Sequence, residues 1–289
     1  MKKFLSLTLA LLMLLTVVSC GSAKPSVNVA SATSIADLKG AKIAAQSGTF
    51  HADALVQIED VLSSTYPEFS DLLTALKSGA IDGYVAEEPT AIAVCAADDT
   101  LDYLHIKNND TGFTATPADV GIAIGLVTDS ALRAQINTIL AEIPEETRAT
   151  LMEQMVTISS GGEVSALALQ SEAPAETTGT LKIGMECAYE PFNWTDIDTP
   201  SLGAVQIYGE GKNGLYANGY DVQIAQYVAN KLGLKLEVYA IEWDSLIPAL
   251  ESGTIDAIVA GMSPTEEREK EIDFTDTYYE SNLVIIYKK

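Results

Sequence analysis

Apolar residues at Leu246, Ile247, Ala249 and Leu250 fall on one helical face, and Gly253 follows where a left-handed helix end belongs. Residues 255–260 then form a short apolar run of strand length. The predicted unit is a helix that stops, turns and feeds a buried strand. Residues 69–86 repeat it: they share half their positions with residues 243–260, 174 residues later. That spacing is too long for a solenoid period, so the repeat predicts two similar lobes. Each strand ends in polar groups, Glu87-Glu88-Pro89 in one copy and Gly261-Met-Ser-Pro-Thr265 in the other. In open α/β sheets ligands gather at the carboxyl ends of strands.

The same alternation runs through the rest of the chain. Residues 221–233 read as an amphipathic helix with a glycine stop, followed by a strand over 235–239. Nearer the start, Ser34 and Asp37 form a variant capping box for a short helix ending at Gly40. A strand over 42–46 follows, then the turn Ser47-Gly-Thr49 and another helix. Alternating strands and helices predict an α/β fold.

The extremities and the middle read differently. Lys2 and Lys3 precede an apolar run from Phe4 to Val18, and a small residue stands before Cys20, the pattern of a secretory leader over residues 1–19. The run is too short for a bilayer span and lacks a stop-transfer pattern. Residues 159–180, rich in Ala, Ser, Thr, Glu and Gly, predict a flexible linker.

Composition narrows the chemistry. Acids outnumber bases 40 to 17, for a formal net charge of −23, which repels nucleic acid and offers it no basic patch. With two histidines, and with Cys95 and Cys187 as the only thiols beyond Cys20, neither a zinc pattern nor a disulfide framework emerges. No metal and no cofactor is expected.

Two runs carry a resemblance, Met185-Glu-Cys-Ala-Tyr-Glu-Pro-Phe-Asn-Trp194 and Gly261-Met-Ser-Pro-Thr-Glu-Glu-Arg268. Residues 181–289 resemble the first half of the polar amino-acid family of type 2 periplasmic solute-binding proteins, which serve ABC uptake systems. Residues 34–157 resemble the second half, on the strength of the repeat, Asp37-Leu-Lys-Gly40 and Gln46-Ser-Gly-Thr49. The resemblance implies a two-lobed type 2 periplasmic-binding-protein fold with a ligand cleft between the lobes. Because the halves stand in reverse order, it also implies a circular permutation. Lobe 2 would comprise residues 34–117 and lobe 1 residues 181–282. Residues 118–158 would supply the return hinge and terminal helices of lobe 1, and 283–289 a hinge strand entering lobe 2. Val17-Val-Ser-Cys20 resembles a lipobox, so Cys20 would carry a lipid and residues 20–33 would tether the protein to the outer face of the membrane.

The site follows from the same resemblance. Arg268 matches the arginine that grips a ligand α-carboxylate, a task its bidentate fork suits. Thr265, as helix cap, places Glu266, Glu267 and Arg268 in one first turn, where the macrodipole favours the acids and not the cation. Ser263 and Gly261 match groups that receive the ligand ammonium and carboxylate. Thr49 and the N–H of Phe50 match groups completing the carboxylate site from the other lobe. Glu87 falls where the family carries an acid, usually Asp, for the α-ammonium. Tyr189 and Trp243 match aromatics that sandwich the ligand side chain, although core packing suits Trp243 equally. Glu186 matches an acid at the side-chain tip, which favours donor-bearing side chains such as Gln, His, Lys or Arg. Gln46 stands where some relatives have Lys.

The implied function is capture of a polar or basic L-amino acid by clamshell closure and delivery to an ABC permease. Two alternatives remain. One is an enzyme of dehydratase or transglycosylase type, with Glu87 and Glu88 as candidate acids. The other is an amino-acid sensor without transport.

Overall fold

The structure, a computed structural model, describes residues 27–289. The predicted leader, Cys20 and the first part of the tether lie outside that range. Strands β1 (Ile43–Gln46), β2 (Ser64–Tyr66), β3 (Gly83–Glu87) and β4 (Leu101–Tyr103) come from the first half of the chain. The short β5 (Gly121–Ile122) and β6 (Gly125–Leu126) follow, and β7 (Thr180–Met185), β8 (Lys235–Ala240), β9 (Ala257–Ile258), β10 (Asp273–Phe274), β11 (Tyr279–Glu280) and β12 (Leu283–Lys288) complete the set used below.

Two five-stranded sheets share one plan. In lobe 2 the order is β2-β1-β3-β12-β4, and in lobe 1 it is β8-β7-β9-β6-β10. In each, the first three strands are parallel and the fourth runs antiparallel to its neighbours. That fourth strand comes from the other half of the chain: β12 enters lobe 2 after lobe 1 is complete, and β6 enters lobe 1 after lobe 2. The internal repeat therefore reports a duplicated architecture in which the halves exchange one strand each.

The polypeptide passes between the lobes at an antiparallel ribbon, β5 against β11. This differs from the expectation that residues 283–289 form the crossing strand. All of β12 pairs within lobe 2, between β3 and β4, because its apolar run Leu283–Tyr287 is buried and requires a sheet on both sides. The chain crosses a few residues earlier.

Local signals hold where the sequence placed them. Helices α1 (Phe50–Ala54), α2 (Phe69–Ser78), α3 (Glu88–Ala97), α4 (Leu132–Ala141), α5 (Glu145–Ser159), α6 (Tyr220–Leu232) and α7 (Leu246–Glu251) alternate with the strands. Gly79, Gly233 and Gly253 take positive φ just past α2, α6 and α7, the left-handed helix ends that glycine permits without Cβ strain. At the chain's beginning, Asp37 accepts the N–H groups of Thr33 and Ser34. The helix it caps, Ile35–Leu38, is a 3-10 turn. Val29 is already buried, so the C-terminal part of the predicted tether docks on lobe 2 beside β12.

Residues 160–180 contain almost no regular structure, yet they do not hang free as a flexible linker would. Gln154 donates to the Ala166 carbonyl and accepts the Ala168 N–H. Asn230 reaches Ser171, and the Thr178 N–H finds Gly233. Leu169 is buried. Side-chain amides of α5 and α6 satisfy backbone groups here that a bare linker would leave to water. The same α5 packs on α3 of lobe 2 as well as on α6 of lobe 1, so the terminal helices do not belong to lobe 1 alone.

Candidate functional site

The carboxyl ends of β1, β3 and β9 face one another across the lobes. From lobe 2, the fully buried β1 delivers Gln46, and the turn after it carries Gly48 at φ +67. Thr49 stands at the N-cap of α1 and turns its hydroxyl back to the Gln46 carbonyl at 2.7 Å. Phe50 opens the helix and His51 follows in its first turn. Strand β3 ends at Glu87, after which Pro89 helps start α3. From lobe 1 come Tyr189 on the short strand Ala188–Tyr189, Trp243, Gly261, Ser263 and Arg268. Gly261 has φ +64, and a Cβ there would touch the Tyr189 ring at 3.3 Å, so its backbone conformation and its packing both call for glycine.

Arg268 occupies the centre of the contact between lobes. It donates to the Ser263 carbonyl at 2.9 Å within lobe 1 and to the Gly48 carbonyl at 2.6 Å across the cleft. Its guanidinium lies 5.1 Å from the Trp243 ring centre, and the Trp243 indole also donates to Gly48, a cation stacked on an aromatic face. Among the described residues no carboxylate lies within salt-bridge distance of Arg268. Burial pulls its pKa down to about 10, opposed by the fields of Asp53 and Glu267. It stays charged at neutral pH.

Thr265 departs from its predicted part. Its hydroxyl approaches the Arg268 N–H at 3.5 Å, yet only a single 3-10 turn, Arg268–Lys270, follows, and Thr265 does not line the enclosed space. Glu186 also lies outside that lining. Gln46 covers it, donating to Glu186 at 2.8 Å from the opposite lobe and to Pro67 at 3.0 Å. Burial pushes the Glu186 carboxyl up to about 7, against the Gln46 hydrogen bond, and Glu68, Glu242 and Asp244 add to the rise.

The other nine predicted residues line one enclosed space, together with His51, Phe69 and Ala260. Phe69 stacks on Tyr189 across the lobes with ring centres 3.9 Å apart. Tyr189 thus pairs with Phe69 in the closed cleft, while Trp243 lies against Arg268. The internal repeat aligns Phe69 with Trp243, a signal that both belong at the cleft. His51 carries no comparable signal. Its Nε2 lies 2.9 Å from Glu87, and both side chains are buried. Glu88, the other acid of the pair, turns away to Asn282 near the hinge, which separates the two proposed general acids. The enclosed volume is about 20 Å³, room for roughly one water, so a larger guest requires the lobes to part.

Beneath the cleft floor, Asp221 in the first turn of α6 is fully buried. It accepts the Tyr278 hydroxyl at 2.6 Å, the Asn193 amide at 2.8 Å and the Gly261 N–H. Burial raises its carboxyl to about 7, against those hydrogen bonds. Asp221 and Glu186 thus keep their protons to higher pH when folded than when unfolded. Below about pH 4 both states are protonated and burial carries no ionisation cost. Between there and pH 7 the folded state binds more protons, so this part of the stability falls as pH rises. Glu186→Gln removes one of the two groups while leaving an acceptor for Gln46. Its melting temperature relative to the parent is expected to rise by about 3 °C between pH 4.5 and 7.5. A difference that stays constant with pH would show that Glu186 does not titrate in this window.

Residues 206–289 match the family model described as bacterial extracellular solute-binding proteins, family 3. An arginine-binding extracellular protein, ArtP of Bacillus subtilis, is 38% identical over 109 residues, which are 38% of this chain and 36% of ArtP. The L-cystine-binding protein TcyA of the same organism is 35% identical over 117 residues, 40% of this chain and 38% of TcyA. A probable histidine-binding protein of Campylobacter jejuni is 36% identical over 115 residues, with coverages of 40% and 38%. The matched stretch thus spans little more than a third of each relative's length. All three are named as binding proteins.

Proposed function

We propose, from the match of residues 206–289 to the bacterial extracellular solute-binding proteins of family 3, that the whole chain captures a polar or basic L-amino acid between its lobes and presents it to an ABC importer. The observation that carries this reading is Arg268: a charged guanidinium between two lobes whose hydrogen bonds among the described residues go only to carbonyls. A ligand carboxylate is a better acceptor than either carbonyl, because both partners are then charged. Ser263, Thr49 and the Phe50 N–H surround the carboxylate, Glu87 takes the α-ammonium, and the aromatic residues hold the side chain. Glu186, reached when Gln46 swings aside, favours a side chain with donors.

Ligand held by Arg268 and Ser263 on one lobe also engages Thr49 and Glu87 on the other. The closed form then gains contacts that the open form lacks, and the population shifts by that difference in affinity. The β5–β11 ribbon is the natural hinge. Cys20 would carry the lipid that keeps the exported receptor beside its permease. Calorimetric titration of the purified protein against a panel of amino acids, with detergent partitioning of the same preparation, tests both parts. Tight binding of one donor-bearing amino acid is expected. Failure of every panel member to bind would sink the reading, and glutamate binding as tightly as arginine and glutamine would remove the role given to Glu186.

The order of the halves is part of the proposal. Each sheet takes its fourth strand from the other half, so the two halves complete one another within one chain in the reversed order. A reordered chain with residues 181–289 placed before 27–158 is expected to fold and to bind the same ligand within about threefold. A reordered chain that stays unfolded would count against the permutation.

A second reading, an enzyme on this scaffold, is favoured by the His51–Glu87 pair, an acid and a base in one cleft. Conversion of a bound amino acid to product, lost in Glu87→Gln, would put it first.

A further inference from the structure

His51 lies inside the cleft without a part in the amino-acid-binding reading, and its surroundings are specific. The ring is 6% exposed and Glu87 4%. Nε2 meets one carboxylate oxygen of Glu87 at 2.9 Å, and the Phe69 ring packs edge-on at 5.9 Å, which restrains the imidazole. The other Glu87 oxygen and His51 Nδ1 are buried, and neither has a hydrogen-bond partner among the described residues. Both side chains line the same small space as Arg268 and Ser263. A buried carboxylate oxygen left without a donor is costly, and this one lies in a space where a ligand donor can reach it.

We propose that His51 is a binding residue of the cleft: it fixes one oxygen of Glu87 so that the second meets the cationic group of the ligand, and capture of that group expels a proton from the pair. The inference rests on the reading of the cleft as an amino-acid site. With imidazole neutral and Glu87 ionised, the pair carries one negative charge and an arriving ammonium balances it. With imidazole protonated, the pair is already neutral, and the ammonium would sit beside a second cation at low dielectric. The imidazolium therefore releases its proton to solvent as an ammonium N–H closes on the free oxygen, and no other bond changes.

The neighbours do not reverse this sign. Tyr84 on β3 and Tyr279 on β11 have hydroxyls pushed further up by burial, so they stay neutral. Arg268 and Tyr189 face the pair across the cleft, and the ligand carboxylate offsets the Arg268 charge. Asp53 lies on the same helix, near enough to act on Arg268. Glu87 also acts on the buried Asp221, so the experiment must separate His51 from Asp221 and Glu186.

Titration with L-glutamine, whose side chain is neutral, makes that separation. Affinity is expected to fall as pH drops from 8 to 5.5, because a proton taken up by the pair opposes the ligand ammonium. Binding enthalpies in buffers of different ionisation heat should report release of up to one proton. His51→Gln keeps an N–H for Glu87; it is expected to bind several-fold more weakly at pH 8 and to lose the slope, whereas Glu186→Gln keeps it. Glutamine binding with no pH slope and no proton release in the parent would overturn the proposal and leave the amino-acid site standing. A slope that persists in His51→Gln would also overturn it. If His51→Gln does not fold, the proton count of the parent decides. Absence of binding by any amino acid at any pH would instead remove the site on which the inference depends.

Discussion

Replacing Arg268 with alanine is expected to weaken amino-acid binding by between about thirtyfold and several thousandfold, the usual range when one member of a buried, hydrogen-bonded charge pair is removed. The loss has two sources. The ligand carboxylate would enter a cleft that has lost its only nearby cation among the described residues, and the contact from lobe 1 to the Gly48 carbonyl would vanish. Arg268→Lys keeps the charge but not the planar fork, so it should recover part of the affinity and not all of it. Stability should change little, because among the described residues no carboxylate pairs with this guanidinium, and the burial cost that its removal relieves offsets the two hydrogen bonds lost. Equal ligand affinity in Arg268→Ala and the parent, measured by calorimetry, would reduce Arg268 to a packing residue stacked on Trp243.

Gly219→Ala is expected to be the most damaging added methyl among the described glycines, lowering stability by about 3 kcal/mol or more and the melting temperature by about 10 °C. Gly219 has φ +130 and ψ 174, a backbone region essentially reserved for glycine. An added Cβ would also lie 2.2 Å from the Phe192 carbonyl oxygen, and relief would require backbone movement. The position cannot yield easily. The N–H groups of Tyr220 and Asp221, just beyond it, donate to the carbonyls of Pro191 and Phe192, and Asp221 anchors the cleft floor through Tyr278 and Asn193. Ligand affinity should therefore fall together with stability. Gly233→Ala is the control: φ is +71 and nothing lies within 4 Å of the added carbon, so only the left-handed conformation is penalised, by about 1 kcal/mol. Equal melting temperatures for the two variants would mean that the chain near Phe192 moves aside freely.

Features that depend on neighbours along the chain are legible in the amino-acid sequence. The helix-to-strand units, the glycine stops after α2, α6 and α7, and the cap at Ser34 and Asp37 all follow from spacing and local hydrogen bonding. The linker and the crossing strand are less legible, for one reason. Composition measures what residues 159–180 can bury by themselves, while Gln154 and Asn230 supply partners from elsewhere. The length of the apolar run 283–287 points to a strand, but not to the sheet it joins.

The site divides along the same line. Sequence alone determined that polar groups end β3 and β9, that an arginine follows the acids Glu266 and Glu267, and that Phe69 and Trp243 are equivalent by repeat. These depend on order along the chain and on the fixed periods of helix and strand. Only the tertiary structure decided that Gln46 covers Glu186, that Tyr189 stacks on Phe69, that Glu88 turns to the hinge, and that His51 holds Glu87. Those partners lie between 36 and 194 residues apart. Their pairing depends on how two lobes meet, which no local period encodes, and on burial, which makes an unpaired charge or donor costly enough to select one arrangement.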